Sequence, residues 1–361
     1  MVLDIRNISP APAPGPTSVI PPTDLHNDLE ALLWQASAGA AVERALAVKQ
    51  LRQLVPAVQG LELLWQILDS EDDPRRLVAA QMLGFHRSWS ASPSGVRRLL
   101  QYLHCERDTE VAAALVWCLR QRDEVGEFLT HQSPRLGREA ALGLPLNSNT
   151  LGSLTRALLT ECPPEIERIL LDKLGNLHPS LVRQLVDQLH QCDLLISDQR
   201  LAPIFSRLPQ VPLFEIFLEE RNTWVWDPQQ GVAQTAAAQN WHRLARSAEA
   251  ALRQWPSLEL LRYLFNRCGE DESFARHHAH LLQATLSGTG AEAGPELLDH
   301  LEQLTASASE DKVVRLAQLL VDLSTRLEGP AENKAAELLE DLKSRSADLK
   351  LKIYHLQQGL A

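Results

Sequence analysis

The chain has 361 residues, 45% of them hydrophobic and 22% charged, with a formal net charge of -11. That length exceeds the roughly 100–200 residues of a single-core domain, so two domains or an elongated repeat array is expected, and the apolar content excludes a wholly disordered chain. Excess negative charge repels phosphate backbones and anionic membranes, which disfavours generic nucleic-acid binding.

Residues 1–22 carry Asp4 and Arg6 followed by a Pro- and Ala-rich run with no apolar core of signal-peptide length, and are expected to form a disordered tail. A repeating pattern then occupies residues 23–211: a helix opened by an acidic or Pro-bearing cap and closed about a dozen residues later by Leu-Gly. Asp72-Asp73-Pro74 through Leu83-Gly84 shows it best. Asp accepts the orphan amide hydrogen bonds of a first turn, Pro at the first helical position costs no intrahelical bond, and Gly is expected to stop the helix in the left-handed conformation.

Further copies are read at Asp108 with Val111–Leu119, at His131–Gly143, and from Pro163 to Gly175, with weaker ones at Val42–Leu51 and Asp198–Leu208. The closing leucines Leu51, Leu83, Leu119, Leu142, Leu174 and Leu208 stand 32, 36, 23, 32 and 34 residues apart, and all gaps but the 23 suit a two-helix unit. Partner helices are marked by Leu61, Leu64, Trp65 and Leu68, by Val96, Leu99, Leu100 and Leu103, and by Leu154, Leu158 and Leu159. A lone hairpin would leave an apolar stripe exposed; stacked neighbours bury it, and paired alanines let the helices approach.

These caps and endings resemble the HEAT family, whose pattern of Asp-Pro, Val-Arg, an Ala-rich middle and Leu-Gly is matched best at 72–84. The resemblance covers about residues 40–208, with Arg76 and Arg135 at the family's arginine place, and an armadillo-like array is the neighbouring alternative. It implies an all-α, HEAT-like helical-hairpin solenoid with a C-terminal helical extension.

Residues 212–328 are read as an irregular helical extension with helices at Leu213–Arg221, Gln229–Gln254, Ser257–Cys268, Glu272–Leu286 and Pro295–Leu304. Ser307-x-x-Glu310 is expected to be a capping box. Residues 329–361 are expected to hold one long helix from about Ala331 to Gln358. Leu339, Ser346, Ile353 and Leu360 alternate there with Ala335, Leu342, Leu349 and Leu356 at heptad spacing. Folding back onto the last hairpin is favoured over an intermolecular coiled coil.

Cysteines at 105, 118, 162, 192 and 268 form no C-x-x-C pair and are expected to be reduced thiols packed in helices, in keeping with a cytoplasmic location. The longest apolar run, Val111–Leu119, falls short of the roughly 20 residues that span a bilayer. His277 and His280, near Glu270, Asp271 and Glu272, share a helix face, but a capped surface helix accounts for them and no metal is expected. The HEAT-type deoxyhypusine hydroxylases hold iron through His-Glu pairs, and no His-Glu dipeptide occurs in this chain. Neither G-x-S-x-G, Walker A nor G-x-G-x-x-G is present, so no catalytic residue and no cofactor is expected.

Partner binding is expected at Trp224 and Trp226, in a loop before Asp227-Pro228, since exposed Trp commonly anchors a partner; core packing is the competing account. Arg75, Arg76, Arg97 and Arg98, with Arg135 and Arg138, are expected on one surface, where Asp69, Glu71, Asp72, Asp73, Glu106 and Glu139 supply ordinary ion pairs. The expected function is a non-enzymatic protein-interaction adaptor or scaffold. The alternative from the fold resemblance is a HEAT-like phycobilin lyase or chaperone acting on a tetrapyrrole and its acceptor protein.

Overall fold

A computed structural model describes residues 22–54, 58–86, 89, 92–160, 162–192, 196–219, 236–254, 256–278, 281–282, 285–286, 293–325 and 327–358. Among them there is helix and no strand. The fold is all-α and built of helical hairpins, and the chain divides into two compact units, one ending at Leu170 and the other beginning at Leu171.

In the first unit α1 (Pro22–Ala38) and α2 (Ala41–Leu54) form the opening hairpin. Glu43 Oε2 accepts the Ala40 N–H at 3.1 Å, satisfying a donor that the helix start would otherwise strand. Then come α3 (Val58–Asp69) with α4 (Arg76–Leu83), and α5 (Pro93–Cys105) with α6 (Thr109–Cys118). A 3-10 segment (Asp123–Phe128) follows with α7 (Pro134–Gly143), then α8 (Leu151–Leu159) and α9 (Pro164–Leu174). The second helices stack side by side: α4 packs on α6 and α6 on α7, and Gly137 of α7 lies against Ile166 of α9. Small side chains make the approach possible, because Ala79, Ala80, Ala113, Ala140 and Ala141 are essentially fully buried at these contacts. The Cys118 thiol reaches across to the Ala80 carbonyl at 3.2 Å. This is the HEAT-like hairpin packing that the repeat pattern implies.

The local signals act in different ways. Asp108 caps α6 as expected, its carboxylate accepting the Glu110 and Val111 N–H groups at 2.8 and 3.2 Å. Asp73 accepts the Arg75 N–H at 2.8 Å, but α4 begins only at Arg76, so Pro74 stands in the turn before it. Gly84 does not adopt the left-handed conformation expected of it, having φ -64°. Its missing side chain instead makes room for Trp117, whose Cζ3 would lie 2.1 Å from a Cβ at that position. The positive φ at this end of the repeats falls on Gln121 (φ 64°), whose N–H donates to the Gly143 carbonyl at 2.8 Å. Leu142, expected as a closing core residue, is 47% exposed, and Leu136, Ala140, Ala141 and Leu144 fill the core there. The short 23-residue gap has a physical reason: that repeat's first helix is a single 3-10 segment of six residues.

The second unit contains the end of α9, then α10 (Pro179–His190), α11 (Asp198–Arg207) and α12 (Gln210–Phe214), which runs into a π-helical turn over Glu215–Glu219. Next are α13 (Ala236–Gln254), α14 (Leu258–Glu270), α15 (Glu272–His277), α16 (Gly294–Ala306), α17 (Glu310–Ser324), α18 (Pro330–Ser344) and α19 (Ala347–Gln357). The α13 helix packs against α10, α11 and α12, while α17 packs against α14, α16, α18 and α19. Phe205, Phe214 and Phe265 are fully buried, so a few aromatic rings do here what alanine-mediated approach does in the first unit.

Two expectations are corrected in this unit. Ser307 follows α16 as its C-cap, and Ser309 precedes α17 without a side-chain capping bond, so the capping box at Ser307 and Glu310 does not form. The long final helix is two helices. Ser346 turns extended (φ -154°), and its hydroxyl accepts the Leu349 N–H at 3.1 Å, so a new helix starts where the heptad seam has its polar residue. Leu339, Leu342, Leu349 and Ile353 are buried, and both α18 and α19 pack on α17. Gly329 (φ 64°) opens α18 directly before Pro330.

Candidate functional site

Two edges of the first unit gather charged and aromatic side chains. The first is a line of ion pairs joining successive hairpins. The Arg75 guanidinium clasps Asp73 through Nε at 3.0 Å and Nη2 at 2.7 Å, and reaches Glu30 of α1 at 3.0 Å. It also lies over the Trp34 ring, 4.6 Å from its centroid. The hydrogen bonds from Arg75 hold the Asp73 carboxyl below the usual carboxylate range even though partial burial opposes the shift. Arg76 grips Glu106, which is almost fully buried, and Glu106 Oε1 also accepts the Asp108 N–H at 2.9 Å, tying the start of α4 to the start of α6. Arg98 pairs with Asp69 at 3.1 Å and covers the Trp65 ring at 4.7 Å, where Trp65 and Tyr102 stack at 5.4 Å. Arg135 pairs with Glu110 at 3.1 Å and Arg138 with Glu165 at 2.6 Å.

Arg75, Arg76 and Arg98 are thus engaged within the fold, consistent with ordinary ion pairing, while Arg97 is exposed with its Nε 3.4 Å from the Pro93 carbonyl. Trp224 and Trp226 lie outside the described residues, as do residues 1–21, His280 and the side chain of His277. Asp271 caps α15 by accepting the Ser273 and Phe274 N–H groups at 2.8 and 3.2 Å. Among the described residues no group of three or more His, Cys, Asp or Glu is placed to hold a metal.

The second edge was not read from the sequence. It lies where second helices end. Arg52, in the last turn of α2, covers the Phe85 ring at 4.2 Å; Phe85 packs on Trp117 at 5.5 Å; Arg120, just past α6, covers Trp117 at 3.7 Å. Gly84 is what lets the Trp117 ring lie down on the end of α4. Phe85 and Trp117 keep part of their surface open, and Arg120 is exposed. The signal that finds this edge is registration with the closing leucines: Arg52 follows Leu51, Arg120 follows Leu119, and Phe85 follows Leu83-Gly84.

Cysteine chemistry is uneven. Burial pushes the Cys118 thiol up to about 12 and the Cys268 thiol up to about 11, whereas Cys105 is exposed. No described helix is long and apolar enough to cross a membrane.

No family model and no curated protein matches the chain. Among solved structures it is similar to one titled "Structure of the Pds5-Scc1 complex and implications for cohesin function", at 12% identity and a TM-score of 0.37. That match covers 92% of this chain, which spans 56% of the length of the other. A second similarity is to an engineered protein, at 17% identity and a TM-score of 0.19, covering 83% of this chain and 96% of that one. At these TM-scores neither likeness bears on function.

Proposed function

We propose that the chain is a non-enzymatic protein-interaction scaffold. The observation that carries this reading is the side-by-side packing of α4 and α6, at whose ends Phe85, Trp117 and Arg120 meet Arg52 of α2, so that charged and aromatic side chains from successive repeats adjoin along one edge. Such an arrangement presents several short contact points to one extended partner segment, and affinity accumulates over repeats without a deep pocket. Trp224 and Trp226, together with Arg97 on the exposed side of α5, are proposed as further anchors, and Arg75, Arg76 and Arg98 as residues that hold the repeats in register while bordering the surface.

Affinity capture from native lysate tests the reading, using the full chain beside a Trp224→Ala/Trp226→Ala variant and an Arg97→Glu variant. The expected result is a protein recovered reproducibly with the full chain and depleted with at least one variant. Recovery of nothing above controls from any of the three contradicts it.

A further inference from the structure

We propose that the edge formed by Arg52, Phe85, Trp117 and Arg120 binds an acidic segment of a partner protein, a carboxylate taken by the Arg120 guanidinium beside the positive charge of Arg52, and an apolar side chain laid on the open parts of the two rings. The proposal rests on the scaffold reading and gives its partner a chemistry.

Arg75, Arg76, Arg98, Arg135 and Arg138 in this unit each have a carboxylate within ion-pair distance. Arg120 differs: among the described residues no carboxylate pairs with it, and its close contact is the Trp117 ring. The two cations lie over the adjoining Phe85 and Trp117 rings, and burial lowers the Arg120 pKa, with Cys118 opposing the shift and the positive charge of Arg52 adding to it. A ring face attracts a cation without using the outward N–H donors of a guanidinium, and the fork of Arg120 matches a carboxylate.

The competing structural account is that arginine at a helix C-terminus complements the macrodipole and caps carbonyls. It accounts for one cation at each end, but not for two like charges stacked on adjoining rings in register with the repeats. Like-charge pairing rejects a basic partner and selects an acidic one. A long nucleic acid would meet the net charge of -11 carried by the whole chain. An acidic peptide touches only the local edge.

The test is fluorescence anisotropy of a labelled peptide, Glu-Asp-Glu-Phe-Asp-Glu, with the full chain at low ionic strength. A Lys-for-acid peptide and a single-stranded oligonucleotide serve as comparison probes. The acidic peptide is expected to bind, and Arg52→Glu/Arg120→Glu is expected to weaken it by about tenfold or more and to gain the basic peptide, whereas Arg156→Glu, at an exposed position of α8, leaves binding unchanged. Should the double reversal cost the fold, as read by circular dichroism, Arg120→Gln is measured instead, with an expected loss of roughly threefold or more. Absent binding, equal binding by the Arg52/Arg120 and Arg156 variants, or preference for the oligonucleotide overturns the proposal. If capture recovers a partner whose retention ignores Arg52→Glu/Arg120→Glu, this inference fails and the scaffold reading stands. If the peptide binds as expected while capture recovers nothing, the edge stands as an acidic-peptide site and the scaffold reading fails.

Discussion

Replacing Gly84 by alanine separates backbone from packing effects at the α4–α6 contact. The backbone there is right-handed (φ -64°), so alanine fits without strain and, by restricting the unfolded chain, contributes about 0.4–1 kcal/mol of stability. Packing runs the other way. The new Cβ would fall 2.1 Å from Trp117 Cζ3 and 2.7 Å from Cε3. Carbon atoms pack at roughly 3.5 Å, so the ring must retreat by about 1.4 Å, and it is held by Phe85 and Arg120. Overpacking of this kind costs about 1–3 kcal/mol, which at mid-range outweighs the gain and leaves a net loss of about 1 kcal/mol, rising to about 2.6 kcal/mol where the ring yields least. In a unit of this size a loss of about 1 kcal/mol lowers the midpoint by about 2–4 °C. Gly152, in α8, is the control, because a Cβ there meets nothing within 4 Å and alanine should stabilise by about 0.4–1 kcal/mol. Thermal and urea unfolding followed by circular dichroism reads both signs. Equal stabilisation by Gly84→Ala and Gly152→Ala would refute the packing argument, and Trp117→Leu should relieve the Gly84→Ala defect.

Three further outcomes follow from the side chains. Glu106→Ala should destabilise by about 3 kcal/mol, because it strands the largely buried Arg76 guanidinium, whereas Glu110→Ala at the exposed Arg135 pair should cost under about 1 kcal/mol; urea unfolding distinguishes the two. Asp73 has a folded pKa below its unfolded value, so its contribution is fully present above about pH 4 and is lost as pH falls through the lower folded value. Asp73→Asn should flatten the stability–pH curve in that acid window and leave its slope near neutrality unchanged. With thiol reagents on the folded chain, Cys105 should react promptly and Cys118, pushed up to about 12, only after unfolding, as mass spectrometry of labelled peptides would report.

The hairpin pattern was legible because capping and burial are local. Asp108 caps where its spacing places it, and Leu51, Leu83, Leu119, Leu174 and Leu208 are buried as the closing positions require. What escaped depends on contacts between elements. Gly84 reads as a stop signal, yet it serves a ring 33 positions later in sequence, at Trp117. Leu142 has the spacing of a core residue but lies on the outward side of α7. Ser346 falls at a heptad position of one apparent helix, yet its hydroxyl caps the start of a second by accepting the Leu349 N–H. The ion pairs around Arg75, Arg76 and Arg98 could be anticipated from neighbouring acids. The Arg52–Phe85–Trp117–Arg120 edge could not, since no single segment contains it.

Crosslinking mass spectrometry on the chain in native lysate decides whether the first unit's helix ends hold a partner, because it reports the partner and the contacting residues together. Reproducible crosslinks are expected from one protein, through an acidic segment, to the helix ends around residues 49–52, 84–86 and 117–122. Crosslinks confined to the second unit, or none above the level of an unrelated helical protein, would contradict binding there.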